Sequence, residues 1–291
     1  MAKWFRRQRS SRSTGGTGST GSTGSTAGAG STGVPGAGGA GHAAQGTGGE
    51  EPLARADRLR LEYARTGDPA LLERAVQAAE QAVRQYPAED PRHASALSAL
   101  CMLTRLRWER ERDAGLLERS LEYGRRAVEA SPPGDPELPR HMSSLATSLQ
   151  ETFDRHGRVQ DIDEAVALYR SSLDLLPDGH PERAGLQSNL ANSLLRRARR
   201  HPDPAVLGEA VQHARAALAG TPPTDPMHGV RLVNLGGVLF ALARSGQVTH
   251  LVEAHERYEQ GLSELPPGHP ARGQVESTVR QLRQLRQRFG F

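Results

Sequence analysis

Eleven histidines, a lone cysteine and a regularly spaced set of arginines and acids are the residues of this chain able to do chemistry. A metal site needs three or four ligands converging from one face, and no His-x-x-x-His pair or second cysteine offers them. His180 and His269 instead precede prolines, in a slot that Asp90, Asp135 and Asp225 fill elsewhere, which reads as helix capping. Cys101 shares a column of small residues with Ala146, Ala191 and Gly236, so it reads as packing rather than as a nucleophile. The chain has no phosphate loop, no serine nucleophile elbow and no carboxylate pair in a catalytic context. The residues therefore predict no enzyme, no cofactor and no metal.

Arg65, Arg110, Arg155 and Arg200 recur every 45 residues, with Arg244 one residue out of register. Such a ladder could read an acidic partner or a phosphate. Placed at the ends of helices, however, cations complement the helix dipole, and Glu73, Glu118, Glu164 and Glu209 follow where the next helices open. The arrangement reads as structural.

The elements that carry these residues follow from an internal repeat. Proline pairs occur at Pro87/Pro91, Pro132/Pro136, Pro177/Pro181, Pro222/Pro226 and Pro266/Pro270, with successive offsets of 45, 45, 45 and 44. Fifteen residues before each first proline stands Leu72, Leu117, Ile162, Leu207 or Leu251. Nine residues past the second stand Leu100-Cys101, Leu145-Ala146, Leu190-Ala191 and Leu235-Gly236. Each period reads as two helices. The shorter carries small residues at Ala75, Ser120, Ala165, Ala210 and Ala254, and again seven positions on at Ala82, Ala127, Ser172, Ala217 and Gly261. That spacing puts both columns on one face, where neighbouring helices approach closely. The shorter helix ends at the first proline, and the second proline is expected at the first position of the longer helix. The longer helix adds an apolar column at Tyr63, Trp108, Phe153, Ala198 and Ala243. Neither helix buries its face alone, so the pattern predicts five stacked hairpins closed by a last helix over 270–290.

Composition divides the chain. Residues 13–49 are almost entirely Gly, Ser, Thr and Ala, too little apolar surface to offset ordering entropy, so residues 1–51 are expected to be a disordered, low-complexity tail before a folded part over 52–291. The five basic residues ahead of Glu50 (Lys3, Arg6, Arg7, Arg9 and Arg12) face no acids, which leaves 37 − 5 = 32 basic against 33 acidic residues in the remainder. The pI of about 9.7 thus belongs to the tail, and a nucleic-acid-binding body is not expected. Lys3, Trp4, Phe5, Arg6, Arg7 and Arg9 form a candidate anchor for weak contact with an anionic membrane, on a tether of about 35 Å reach. A basic start without an apolar stretch after it is not a secretory signal, and no run of about 18 apolar residues exists. With a single cysteine, a cytoplasmic protein is expected.

The columns resemble the tetratricopeptide repeat, in which a Leu-Gly pair in the first helix is followed by Ala, Ala and Pro in the second. Asn234-Leu235-Gly236, Asn189-Leu190-Ala191 and the spacing Ala210, Ala217, Pro222 carry the likeness over residues 52–291. It implies an all-α αα-hairpin solenoid with a right-handed superhelix. The family repeat has 34 residues; here the first helix and its turn are seven longer and the join between repeats four, insertions of about two turns and one turn that keep the packing face. This long form is similar to actinobacterial arrays, often found beside caspase-like protease or signalling-ATPase domains, and 36 arginines against one lysine suit a GC-rich genome. The resemblance implies an interaction scaffold or regulatory adaptor that binds a peptide or partner protein in a concave groove. The matching groove positions are Arg105, Ser143, Thr147, Gln150, Ser188, Asn189, Asn192 and Asn234. Ser188 stands where a carboxylate-clamping member has lysine, so that clamp is not expected. Two other readings stand beside the groove: a membrane or nucleic-acid tether through the tail, and a regulatory partner of a separately encoded protease or ATPase.

Overall fold

The computed structural model describes residues 50–290, apart from the Phe289 side chain, and there the chain is helical throughout, without strands. Residues 1–49, with the candidate anchor Lys3, Trp4, Phe5, Arg6, Arg7 and Arg9, lie outside the described residues. The helices run α1 Pro52–Thr66, α2 Pro69–Gln85, α3 Pro91–Glu111, α4 Ala114–Ala130, α5 Leu138–His156, α6 Val159–Leu175, α7 Arg183–Arg200, α8 Pro204–Ala219, α9 His228–Arg244, α10 His250–Glu264 and α11 Arg272–Phe289. They form five hairpins, α1–α2 through α9–α10, and α11 closes the stack against α10.

The small-residue columns set the spacing of the stack. Ala75, Ser120, Ala165, Ala210 and Ala254 are all fully buried, as are Cys101, Ala146 and Ala191 opposite them. The approach is closest at the glycines. A methyl group built on Gly124 would stand 2.9 Å from Cys101 Sγ, one on Gly236 2.9 Å from Tyr258, and one on Gly261 2.6 Å from Val233. The leucines of the repeat, from Leu72 and Leu100 to Leu235 and Leu251, are 3 % exposed or less and fill the space between these contacts.

The turns are built from the proline pairs. Tyr86, Ser131, Leu176 and Leu265 each precede a first proline and take extended backbone, with ψ of 123°, 123°, 137° and 132°, because a following proline disfavours the helical region. The carbonyl of that proline then accepts from the N–H three residues on, at 2.9–3.2 Å in all five turns. Asp90, Asp135 and Asp225 accept from the N–H two residues ahead through a carboxylate oxygen, and His180 and His269 do so through Nδ1. Only Asp90 is the N-cap of an α-helix as expected; the other four cap the turn, and Glu137, Glu182, Met227 and Ala271 stand at the helix N-caps. The second proline opens the next helix only at Pro91. In all five turns the N–H three residues past the aspartate or histidine bonds back to its carbonyl, at 2.9–3.2 Å. After Pro136, Pro181, Pro226 and Pro270 this tight turn stands ahead of the α-helix, which begins two residues past the proline.

Side chains from the new helix staple several of these turns. Arg183 Nη1 donates to the carbonyls of Leu173 and Leu176 at 2.9 and 2.7 Å, and Arg272 Nη1 repeats this on Leu262 and Leu265 at 3.0 and 2.6 Å. Each offers a cation to carbonyls that end a helix without partners. At the second turn Ser131 and His141 take this role. The serine hydroxyl reaches the Ala127 carbonyl at 2.9 Å and lies 2.7 Å from His141 Nδ1. His141 is 1 % exposed, and burial drives its pKa down to about 4, so it is neutral in the fold.

The charge ladders are used differently from the dipole reading. Arg65, Arg110, Arg155, Arg200 and Arg244 do sit in last turns and are exposed. Glu73, Glu118, Glu164 and Glu209, however, stand beyond the first turn of their helices, past the reach of the dipole. Three of them make lateral ion pairs instead: Glu73 with Arg107 at 3.0 Å, Glu164 with Arg125 at 3.1 Å and Glu209 with Arg170 at 2.5 Å. Among the described residues no helix is long and apolar enough to cross a membrane, and no group of three His, Cys, Asp or Glu is placed to hold a metal.

The packing and the staples can each be tested. Gly261→Ala should cost about 1–3 kcal/mol in urea unfolding, since its methyl overlaps Val233, whereas Gly273→Ala, with open space around it, should gain about 0.5 kcal/mol. Because His141 falls from 6.5 to about 4 on folding, the unfolded chain binds more protons between these values. Its contribution is complete above pH 6.5 and shrinks as pH falls, by about 3 kcal/mol on reaching pH 4. Thermal unfolding of His141→Asn across that range should therefore show a shallower acid loss than the wild type.

Candidate partner-binding groove

The inner face follows from which helices touch. The first helices of successive hairpins meet directly, α1 with α3, α3 with α5, α5 with α7 and α7 with α9. The second helices share no comparable contact and are spanned by long ion pairs, Arg125–Glu164 at 3.1 Å, Arg170–Glu209 at 2.5 Å and Arg215–Glu253 at 2.8 Å. A stack that is close on one side and open on the other curves toward the close side. The inner face is therefore the surface of α3, α5, α7 and α9, the helices that carry the candidate groove positions.

Most of those positions are tied into a hydrogen-bonded seam between repeats. Asn234, on α9, donates through Nδ2 to Ser188 Oγ on α7 at 3.0 Å. Gln150, on α5 and 1 % exposed, donates through Nε2 to Ser193 Oγ at 2.6 Å and to the Asn189 carbonyl at 3.3 Å. Its Oε1 accepts from the Tyr169 hydroxyl at 3.4 Å, and that hydroxyl lies 2.9 Å from Thr147 Oγ1. Ser98, on α3, continues the seam by donating to Ser144 on α5 at 3.2 Å. Burial pushes the Tyr169 phenol well above its ordinary pKa, so it stays a neutral hydrogen-bonding group.

The charged groove residues are compensated locally. Arg105 pairs with Glu109 one turn on, and Arg196 of α7 pairs with Asp154 of α5. Burial raises the Glu109 carboxyl, with Arg105 pulling the other way, and burial lowers the Arg196 guanidinium, with Glu151 opposing it. Three expected groove residues, Ser143, Thr147 and Asn189, keep a half-exposed side chain. Asn192 is the exception among the rest. It is 3 % exposed, and its Oδ1 finds no donor within the protein.

Tyr169, Ser193 and the Arg196–Asp154 pair belong to this seam and carry no signal for it in the sequence. Tyr169 lies on a second helix and reaches Thr147 and Gln150 of α5 from below. Ser193 is visible only as a residue one turn past Asn189.

No protein-family model matches the chain, and no curated protein is similar to it. The chain is similar to solved repeat structures. A point-substituted form of a candidate kinesin light chain from Podosopora anserina, with nearly identical TPR-like repeats, aligns at a TM-score of 0.50 and 20% identity, over 75% of this chain and 97% of that one. Its parent form aligns at 0.49 and 19%, over 74% and 96%. An assembly chaperone of RpL4 aligns at 0.43 and 19%, over 75% and 78%. At such identities the likeness is one of fold, a TPR-like helical repeat.

The seam separates two kinds of asparagine and glutamine. Gln150→Ala removes a buried amide from three partners and should lower stability by about 1–2 kcal/mol. Asn192→Ala deletes an amide whose oxygen lacks a donor, so the same denaturation assay should find it within about 0.5 kcal/mol of wild type.

Proposed function

We propose that the chain is a protein-interaction scaffold that takes an extended peptide or partner segment along the inner face of α3, α5, α7 and α9. The observation that carries this reading is Asn192. Its buried carbonyl oxygen stands without a donor, one turn along α7 from the half-exposed Asn189. A side-chain rotation that turns this oxygen outward lets a peptide backbone supply the missing N–H, and an amide side chain can accept and donate to one peptide unit at once.

Arg105 and Arg196 are already paired with acids, so the centre of the groove offers little net charge. It is suited to reading backbone and small polar groups rather than a strongly charged tract. The shared fold of the kinesin-light-chain candidate supports the architecture of this reading and leaves the partner to the groove's own chemistry.

The test compares prey captured from cells by the wild-type chain with that captured by Asn189→Ala and Asn192→Ala. Arg170→Ala, on the outer rim, serves as the control. Both groove variants should lose the prey by about tenfold, the effect of about 1.4 kcal/mol, with unchanged melting temperatures, and the control should retain it. Full capture by both groove variants would count against the assignment.

A further inference from the structure

The seam of first helices ends at α9. The closing helix α11 packs on α10 and shares no comparable contact with α9, so its place at the end of the stack rests on one interface. Val275, Val279 and Leu282 supply its buried face.

Two columns of the repeat change chemistry at this interface. Val76, Leu121, Val166 and Val211 stand one residue past the small column of the second helices, and each is at most 8 % exposed. His255 takes that place on α10 and is 6 % exposed. Arg125, Arg170 and Arg215 form the outer column that pairs with an acid of the next repeat, whereas Glu259 takes that place on α10. The polarity is thereby reversed, and Arg283 of α11 answers Glu259 at 2.9 Å.

These exchanges meet in one network. Arg286 of α11 donates through Nη1 to His255 Nδ1 at 2.9 Å, and His255 Nε2 lies 3.3 Å from a Glu259 carboxylate oxygen. An arginine only donates, so Nδ1 is the bare, accepting nitrogen and the single ring proton sits on Nε2. A second proton would fall on Nδ1, take the acceptor from Arg286 and set two cations in contact. Burial opposes that proton most and Arg286 and Arg283 of α11 add to it, while Glu259 and Glu256 of α10 work the other way, so the imidazole is held below its ordinary 6.5. The other helix packed on α10 is α9, which carries its charges at His228, Arg231 and Arg244, toward its ends. Tyr258, one turn on from His255, meets the middle of α9 at Gly236.

We propose that α11 is a proton-released cap, docked on α10 while His255 is neutral and freed when the imidazole takes up a second proton. Release uncovers Val275, Val279 and Leu282 and the face of α10 beneath them, so acid turns a polar end of the stack into an apolar one. Because the docked imidazole is lowered, its contribution to docking is complete above pH 6.5 and is lost as pH falls through the docked value. The device does not depend on what occupies the groove around Asn192.

Hydrogen exchange of the full chain, followed helix by helix and corrected for the intrinsic rate at each pH, tests the proposal. From about pH 7.5 to about pH 5.5 the protection of α11 should fall several-fold, up to the limit of about tenfold set by one proton a unit below 6.5. Protection of α1 to α8 should hold. His255→Asn puts an amide oxygen where Nδ1 accepts and cannot titrate, so α11 should stay protected at both values. His141→Asn, on α5, should leave the wild-type fall unchanged. If His255→Asn already lacks protection at the higher pH, His255→Val, which restores the apolar column, gives the same comparison. Equal protection of wild-type α11 at the two values would overturn the proposal. So would a fall that persists undiminished in the His255 variants, or a loss shared equally by α1 to α8.

Discussion

Close approach of helices at small residues is the constraint on which the rest of this structure depends. Where Gly261 meets Val233 or Gly124 meets Cys101, there is no room for a further methyl group. Each contact fixes how deeply one helix sits on the next, and repetition every 45 residues carries that depth through the stack. The leucines fill what the small residues leave, as expected of an interior packed like a solid. A quasi-one-dimensional array of this kind gains its stability from such nearest-neighbour interfaces, since no single hairpin encloses a core of its own.

The same constraint divides the two sides of the solenoid. First helices drawn into direct contact must place polar side chains between them or leave them apolar, and this chain does the former. Ser98–Ser144, Gln150–Ser193 and Asn234–Ser188 each cross from one repeat to another, so residues that resemble ligand contacts in sequence serve in part as mortar. The groove's free capacity is consequently narrower than its residue content suggests. It concentrates at Asn192 and the half-exposed Ser143, Thr147 and Asn189.

Periodicity makes the architecture legible without coordinates, because helical packing faces recur with the same side chains. The buried columns, the five hairpins and the turn slot that His180 and His269 share with aspartate can all be read from spacing. The two-residue delay after Pro136, Pro181, Pro226 and Pro270 cannot, since the Pro91 turn carries the same backbone bond and opens its helix at once. Sequence assigns Glu164 and Glu209 to helix dipoles because it shows neighbours along the chain, whereas their arginines lie 39 residues away on another helix. The groove positions fall on first helices, as spacing predicts, but their mutual bonds are invisible in it.

The ion pairs that span the second helices also have a mechanical consequence. The inner side is joined by short-range contacts that resist stretching, while the outer side is joined by long, partly solvated side chains with many rotamers. Such a body bends like a laminated strip with one stiff ply. Its neutral axis lies close to the groove, so flexing alters the outer rim far more than the spacing of the inner helices. Curvature can then adapt to the length of whatever lies along the inner face while the pitch at which that face presents its polar groups is preserved.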